Sequence, residues 1–200
     1  MRSRMQKSAT NTNVSIKRLE SDTVAALAGR RIDAEDAKVR QFPLAMTPIV
    51  KRALSDLLRM EGISLLICSA ACGADLLALD AALEAGIRCR IILPFEQSRF
   101  RQTSVIDRPG DWGVLFDRIV SLVDSKGDLI VLRDDQSAKR AYERLNEVTI
   151  REVTAASSPR RLAIIVWEGR PRPKDDATAQ FRRLAIEAGM LERIVPTLCN

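Results

Sequence analysis

The segment from Ser69 to Asp75 has the composition best suited to chemistry in this sequence. It reads Ser-Ala-Ala-Cys-Gly-Ala-Asp and joins an apolar run to a helical pattern. Small side chains let a phosphate approach the backbone, and the unpaired N–H groups of a helix N-terminus favour an anion. Asp75 could cap the helix or accept a hydrogen bond from a ribose hydroxyl. A tight strand-to-helix turn without a ligand would use the same residues, and spacing alone does not separate the two readings. Our candidates for ligand contact are Ser69, Ala70, Gly73 and Asp75.

A second candidate group follows the first apolar run, at Gly29, Arg30 and Arg31. Glycine permits backbone angles that other residues avoid. An arginine can hold a phosphate through two parallel hydrogen bonds. The alternative is a surface loop with solvated arginines.

A third group follows the last long apolar run and consists of Trp167, Glu168 and Thr178. Trp167 could stack on a nucleotide base or pack in the core. Glu168 could bind a ribose or act as an acid or base. Thr178 lies where the next helix is predicted to begin.

Pro94 and Phe95 open a connection of residues 95–110, for which the sequence predicts no secondary structure. Connections of this length are often lids or binding segments. Phe95 could equally anchor the connection to the core.

The catalytic options are few, because the chain contains no histidine. Asp75 and Glu168 are then the candidates for proton transfer or for stabilising positive charge on a ribose. The helix dipole is expected to lower the pKa of Asp75, so we predict Glu168 to be the better proton donor. The spacing of the four cysteines does not match paired zinc knuckles, and we expect neither a metal nor a cofactor.

Composition and charge predict one globular domain. The chain has 200 residues, of which 46% are hydrophobic and 29% charged. The net charge is +6, and residues 1–22, rich in Ser, Thr and Asn, are expected to form a disordered basic tail ahead of a domain over residues 23–200.

Aromatic residues make up only 4% and are not interleaved with the basic ones, so nucleic-acid binding is not expected. The residues contain no membrane span or secretion signal, and free thiols fit a cytoplasmic protein. Whether the protein forms a homo-oligomer stays open.

Apolar runs alternate with helical patterns along the chain. Strands are predicted to begin near Val24, Ile63, Ile87, Asp128, Leu162 and Leu191. Strands that are apolar on both faces indicate a covered parallel sheet. The alternation predicts an α/β fold, a Rossmann-like, doubly wound and mostly parallel sheet in a single domain. Ligands bind such sheets at the carboxyl ends of the strands.

The order of these motifs over residues 24–195 resembles the SLOG superfamily, a Rossmann-like group that joins DNA-processing protein A and the LOG-type phosphoribohydrolases. The nearest resemblance is to its bacterial members. The motifs are Gly-Arg-Arg-Ile-Asp at 29–33, the small-residue turn at 69–75 and Leu-Pro-Phe at 93–95. The resemblance implies a nucleotide or nucleotide-derived ligand at the strand ends, with phosphate or ribose held by Ser69, Ala70, Gly73 and Asp75.

Two positions depart from that pattern. Resembling proteins usually carry histidine where Arg30 stands, and often Gly-Gly-Thr where this chain has Asp176-Ala177-Thr178. The second departure argues against an anion site at the start of the last helix. The glycine-rich phosphate motif with its following glutamate, used by the LOG-type hydrolases, is missing. We therefore predict a sensor that binds a nucleotide-like small molecule; the alternative is a hydrolase of the N-glycosidic bond in a nucleotide, and a third class is single-strand DNA binding.

Overall fold

The computed structural model describes residues 22–133 and 137–199. The predicted tail therefore lies outside the described residues, apart from its last residue. The helices and strands are β1 Thr23–Gly29, α1 Thr47–Met60, β2 Ile63–Cys68, α2 Ala74–Glu84, β3 Arg88–Leu93, α3 Gln97–Ser104, α4 Trp112–Asp124, β4 Leu129–Val131, α5 Ala138–Ala155, β5 Arg160–Trp167, α6 Ala177–Glu187 and β6 Leu191–Pro196.

All six strands form one parallel sheet in the order β4-β3-β2-β1-β5-β6. The prediction of a single parallel sheet is confirmed. The chain moves outward from β1 to β4 and then returns to add β5 and β6 on the other side of β1. The connections that leave β1 and β5 therefore diverge, and a crevice opens between their carboxyl ends.

Helices cover both faces of this sheet, as a doubly wound fold requires. One core lies between the sheet and α1, α2 and α4, and it contains Ala25 and Leu27 of β1. The other lies under α5 and α6 and contains Val24 and Ala26 of the same strand. Alternate residues of β1 thus face opposite cores, which explains why the strand is apolar throughout.

The expectation of an unstructured connection over residues 95–110 was wrong, because Gln97–Ser104 forms α3. Only two of its residues, Phe100 and Ser104, are buried. One large apolar side chain in an otherwise polar stretch gives no helical periodicity, so the pattern did not reveal the helix.

Helix α2 is enclosed on all sides, and every residue from Ala74 to Ala82 is buried. It carries two buried carboxylates. Asp80 is paired with Lys51 and Arg118, both at 2.6 Å, whereas Asp75 lies in the first turn at the carboxyl edge of the sheet. The start of α2 is therefore a fixed part of the crevice. Among the described helices, none has the length and apolar content needed to span a bilayer.

Candidate ligand-binding site

A pocket of about 550 Å³ opens at the crevice between the carboxyl ends of β1 and β5. Its walls come from the residues after β1, the β2–α2 turn, the start of α3, one face of α5 and the start of α6. The predicted site residues that line it are Gly29, Arg30, Arg31, Ser69, Asp75, Phe95 and Thr178. The others lie outside its lining: Ala70, Gly73, Pro94, Trp167 and Glu168.

Two buried polar atoms among the lining residues have no hydrogen-bond partner in the protein. They are the Oγ of Ser69 and the Nε of Arg108. Leaving such a group unpaired costs about 1–3 kcal/mol, so native structures rarely do it without a reason. The sequence singled out Ser69. It gave no signal for Arg108, which lies between α3 and α4 in the stretch predicted to be a plain connection.

Arg30 is fully engaged by the protein. Its guanidinium binds Glu168 through Nε at 2.8 Å and Nη2 at 3.0 Å, and Asp176 through Nη1 at 2.6 Å and Nη2 at 3.0 Å. Nη2 also donates to the carbonyl of Arg170 at 2.8 Å. Burial opposes the charge, but the two carboxylates outweigh it and raise the pKa of Arg30. Only 2% of the Arg30 side chain is exposed, so it is not available as a phosphate clamp.

The N-terminus of α6 is occupied by the side chain of Asp176. Its carboxylate accepts hydrogen bonds from the backbone N–H groups of Ala179 at 3.0 Å and Arg172 at 2.6 Å. Burial raises the pKa of Asp176, but these bonds and Arg30 outweigh it and hold the pKa below its ordinary value. An anion from solution would have to displace this carboxylate. The start of α6 is thus occupied by the protein's own carboxylate.

Three backbone donors of the β2–α2 turn are used within the protein. The N–H of Ala71 binds the carboxylate of Asp75 at 3.2 Å, that of Cys72 binds the carbonyl of Ser104 at 3.0 Å, and that of Ala74 binds the carbonyl of Arg30 at 3.1 Å. These groups are the ones a phosphate cradle would need. The turn therefore supports the packing reading more than the anion-cradle reading.

Gly29 and Gly73 allow this turn to lie against β1. A Cβ on Gly29 would stand 2.4 Å from the Cβ of Ala74. Gly73 has φ +95°, and a Cβ there would stand 2.9 Å from both the carbonyl oxygen of Arg30 and the N of Ile32. Close packing of this turn against β1 and the residues that follow it therefore requires glycine at both positions.

Asp75 and Glu168 differ in a way the sequence did not predict. Burial raises the pKa of Asp75 from 3.8 to about 7, against the opposing effects of the Ala71 N–H and the charge of Arg31. The expected lowering by the helix dipole was wrong in direction, because desolvation dominates. Glu168 has both oxygens bound to Arg30, and Oε1 also accepts from the amide of Gln41 at 2.7 Å. Of the two candidate acids, Asp75 alone lines the pocket.

An arginine-rich rim, defined by Arg31, Arg99 and Arg108, closes one side of the pocket. Arg31 binds both oxygens of Asp107 at 2.9 Å. The guanidinium of Arg99 lies 4.3 Å from the centre of the Phe95 ring. The Nε of Arg108 is 4.0 Å from Asp107, beyond hydrogen-bond range. Among the described residues, Asp107 is the one carboxylate in an ion pair with any of these three arginines, so this rim has an excess of positive charge.

On the opposite side, Arg172 donates through Nε to the side-chain oxygen of Gln41 at 2.7 Å. Desolvation and the positive charge of Arg30 lower the pKa of Arg172. The neighbouring Glu168 and Asp176 counter this charge, so the α6 side of the pocket is close to neutral.

No family model and no curated protein matches this sequence. Among solved structures, the DNA processing protein A of Streptococcus pneumoniae is similar, with a TM-score of 0.55 and 15% sequence identity over 87% of this chain and 50% of that one. The chain spans about half the length of that protein. A likeness at this identity establishes a shared Rossmann-like fold, which is the fold that the SLOG resemblance implies.

Trp167 lies in the core under α5 and α6 and is 3% exposed. Instead of facing the pocket, its ring has the guanidinium carbons of Arg30 and Arg182 each 5.6 Å from its centre. The structure thus favours core packing for Trp167 over stacking on a base. Pro94 and Ala70 are also buried behind the pocket lining.

Proposed function

We propose that the strand-end pocket binds a nucleotide or nucleotide-derived ligand, and that the protein acts as a ligand sensor. The observation that carries this proposal is the pair of unpartnered buried atoms, Ser69 Oγ and Arg108 Nε, in one pocket. A phosphorylated sugar offers what both lack: oxygens that accept from a guanidinium, and hydroxyls that exchange hydrogen bonds with a serine.

Three further features support a ligand of this kind. The pocket lies at the crevice of a doubly wound sheet, where such folds bind their ligands. Its volume of about 550 Å³ falls in the usual range for small-molecule sites. Its lining combines apolar surface at Val39, Phe95 and Leu145 with a carboxyl group at Asp75 that can bind a ribose hydroxyl. The likeness to DNA processing protein A is compatible with a nucleotide-related role.

Binding without turnover is favoured because the pocket offers few carboxyl groups for catalysis. Two of the described lining carboxyl groups are outside ion pairs, Asp33 and Asp75, and Asp33 already accepts hydrogen bonds from the backbone N–H groups of Gln41 and Phe42 at 3.1 Å. Cleavage of an N-glycosidic bond needs a proton donor for the leaving base and a group that stabilises positive charge on the ribose. Glu168, the second sequence candidate, is held by Arg30 and Gln41 outside the pocket lining. The hydrolase is nevertheless the second candidate function, because a pKa of about 7 would let Asp75 donate a proton at neutral pH.

The test is calorimetric titration with a panel of nucleoside monophosphates, diphosphates and cyclic nucleotides. We expect at least one to bind the wild type, and to bind Ser69→Ala about tenfold more weakly, as loss of a hydrogen bond of about 1.4 kcal/mol requires. Ser125→Ala is the matched control, since its hydroxyl bonds only to the carbonyl of Leu122 at the end of α4. If no nucleotide in the panel binds the wild type, the proposal is wrong.

A second readout separates sensor from hydrolase. Each nucleotide that binds is incubated with the protein, and release of free base is followed by chromatography. Binding without release supports the sensor. Release that disappears in Asp75→Asn, while binding persists, would replace the sensor with the hydrolase.

A further inference from the structure

We propose that Arg99 and Arg108, on the arginine-rich rim, form the phosphate subsite of the pocket, so that the ligand carries its anionic group at the α3 side and its sugar toward Ser69 and Asp75. This inference rests on the proposed function for the identity of the ligand. It adds where the charged group lies and which class of ligand fits: one with a single anionic end.

An anion in this fold usually binds the backbone N–H groups at the start of a helix, and at α6 and α2 such groups already have acceptors within the protein. The start of α6 is capped by Asp176, which is in turn bound by Arg30. In the β2–α2 turn, the N–H groups of Ala71, Cys72 and Ala74 donate to Asp75, Ser104 and the backbone of Arg30. A phosphate at either helix would have to compete with bonds already made inside the protein.

The arginine-rich rim, by contrast, has hydrogen-bond donors that a ligand could use. Arg108 has a buried Nε with no acceptor. Among the described residues, no carboxylate forms a close ion pair with Arg99; its guanidinium is held by stacking on Phe95. Asp107, the carboxylate paired with this rim, already accepts from Arg31. A phosphomonoester bound there would neutralise the excess positive charge of the rim and would accept a hydrogen bond from the Nε of Arg108.

The rim is also held in place before any ligand arrives. Trp112 donates through Nε1 to the carbonyl of Pro109 at 2.8 Å, which fixes the turn that follows Arg108. Arg31 ties the same segment to β1 through the carbonyl of Thr103 at 3.0 Å and through Asp107. Donors that are ordered in advance lose less entropy on binding, which favours a specific anion site.

A ligand with charges at both ends does not suit this pocket. Its second anionic group would face the α6 side, where Asp175 and Asp176 line the wall. Of the cations there, Lys139 and Arg30 are already paired with those carboxylates at 2.6 Å, and the guanidinium of Arg172 donates to the side chain of Gln41. Nucleoside monophosphates and similar phosphomonoesters should therefore bind better than dinucleotides with the same base.

The test uses inorganic phosphate as the probe of the subsite. Phosphate binding is measured by the rise in melting temperature and by ³¹P NMR titration, for the wild type and for Arg99→Gln/Arg108→Gln. The matched control is Arg59→Gln/Arg183→Gln, which removes the same charge from exposed surface pairs. We expect phosphate to bind the wild type and the control equally, and the rim variant at least tenfold more weakly. Circular dichroism establishes that each variant is folded.

The inference is overturned if phosphate fails to bind the wild type, or if it binds the rim variant as well as the control. It is also overturned if Arg172→Gln, on the α6 side, abolishes phosphate binding while the rim variant retains it. The nucleotide panel judges the proposed function separately. A nucleotide that binds wild type and rim variant alike would leave the function standing without this subsite. Phosphate binding at the rim with no nucleotide bound would leave the subsite without the function.

Discussion

Replacing Asp75 by asparagine should make the protein more stable at pH 8, although it removes a charge from a helix N-terminus. Asp75 is 7% exposed, and the Ala71 N–H is the one direct hydrogen-bond donor to its carboxyl group among the described residues. An ionised carboxylate in that position has lost its hydration without gaining an ion pair. The neutral amide keeps the shape and can accept the same hydrogen bond.

The magnitude follows from the pKa. In the folded protein burial raises the pKa of Asp75 from 3.8 to about 7. Between these values the native state holds a proton that the unfolded state has released, so stability falls as the pH rises and levels off above the folded pKa. At about 1.36 kcal/mol per pH unit, the loss between pH 5 and pH 8 is about 2.5 kcal/mol. For a chain of this length that corresponds to about 5–10 °C in melting temperature.

The assay is urea unfolding of wild type and Asp75→Asn at several pH values from 5 to 8. Any constant effect of the substitution cancels when the difference between the two proteins is followed against pH. We expect that difference to grow in favour of the variant by about 2.5 kcal/mol across the range.

Asp80→Asn provides a control of opposite sign on the same helix. Burial raises the pKa of Asp80, but hydrogen bonds from Lys51 and Arg118 outweigh it and lower the pKa. Its contribution to stability is present above the unfolded pKa and is lost only as the pH falls below about 4. The Asp80 variant should therefore be less stable than wild type by a constant amount from pH 5 to 8. If the difference in free energy of unfolding between Asp75→Asn and wild type also stays constant from pH 5 to 8, the argument for a buried, proton-binding Asp75 is refuted.

Two further substitutions test how the pocket is built. Gly73→Val should lower the melting temperature sharply, because the new side chain would meet the backbone of Arg30 and Ile32 at φ +95°; Gly86→Ala, at φ +72° with open space around it, should cost only about 1 kcal/mol. A stable Gly73 variant would show that the turn is not held by packing. Arg30→Gln should cost about 3–5 kcal/mol in urea unfolding, since it leaves two buried carboxylates unpaired. The exposed pair of Arg59 serves as its control, with an expected loss below about 1 kcal/mol.

The sheet could be predicted from the sequence because its signals are local. Apolar runs bounded by glycine, proline or polar residues located all six strands, and their two-sided hydrophobicity indicated the helices on both faces. Helix α3 left no such signal, since its stability comes from Phe100 and Ser104 packing into a core built by distant segments. Its role in shaping the pocket could not be seen before the fold was known.

The candidate site was predictable in position but less so in detail. The strand ends meet at one edge of the parallel sheet, and Ser69, Asp75 and Arg31 line one pocket there; that this pocket binds a ligand stays a prediction. Charge partners were not predictable, because ion pairs such as Arg30 with Glu168 join residues 138 positions apart. The same limitation hid the pKa of Asp75, which depends on what covers the carboxyl group rather than on its place in the helix. Arg108 was missed because a loop sequence does not show that the Nε of one arginine will be buried without an acceptor.

Arg30 and Asp176, the two positions at which the sequence differs from the motifs it resembles, form one structural feature. Arg30 and Asp176 stand at separate positions in the chain, yet the guanidinium of one binds the carboxylate of the other at 2.6 Å. An arginine at position 30 without a carboxylate at 176 would lose one of the two acidic side chains that compensate its buried charge. Asp176 without Arg30 would place an unpaired carboxylate at 6% side-chain exposure. Each residue therefore compensates the buried charge of the other, and the carboxylate of the pair occupies the start of α6, where an anion would otherwise bind. With that end closed, the excess positive charge of the pocket lies at the opposite rim, which is why the phosphate of a ligand is expected beside α3.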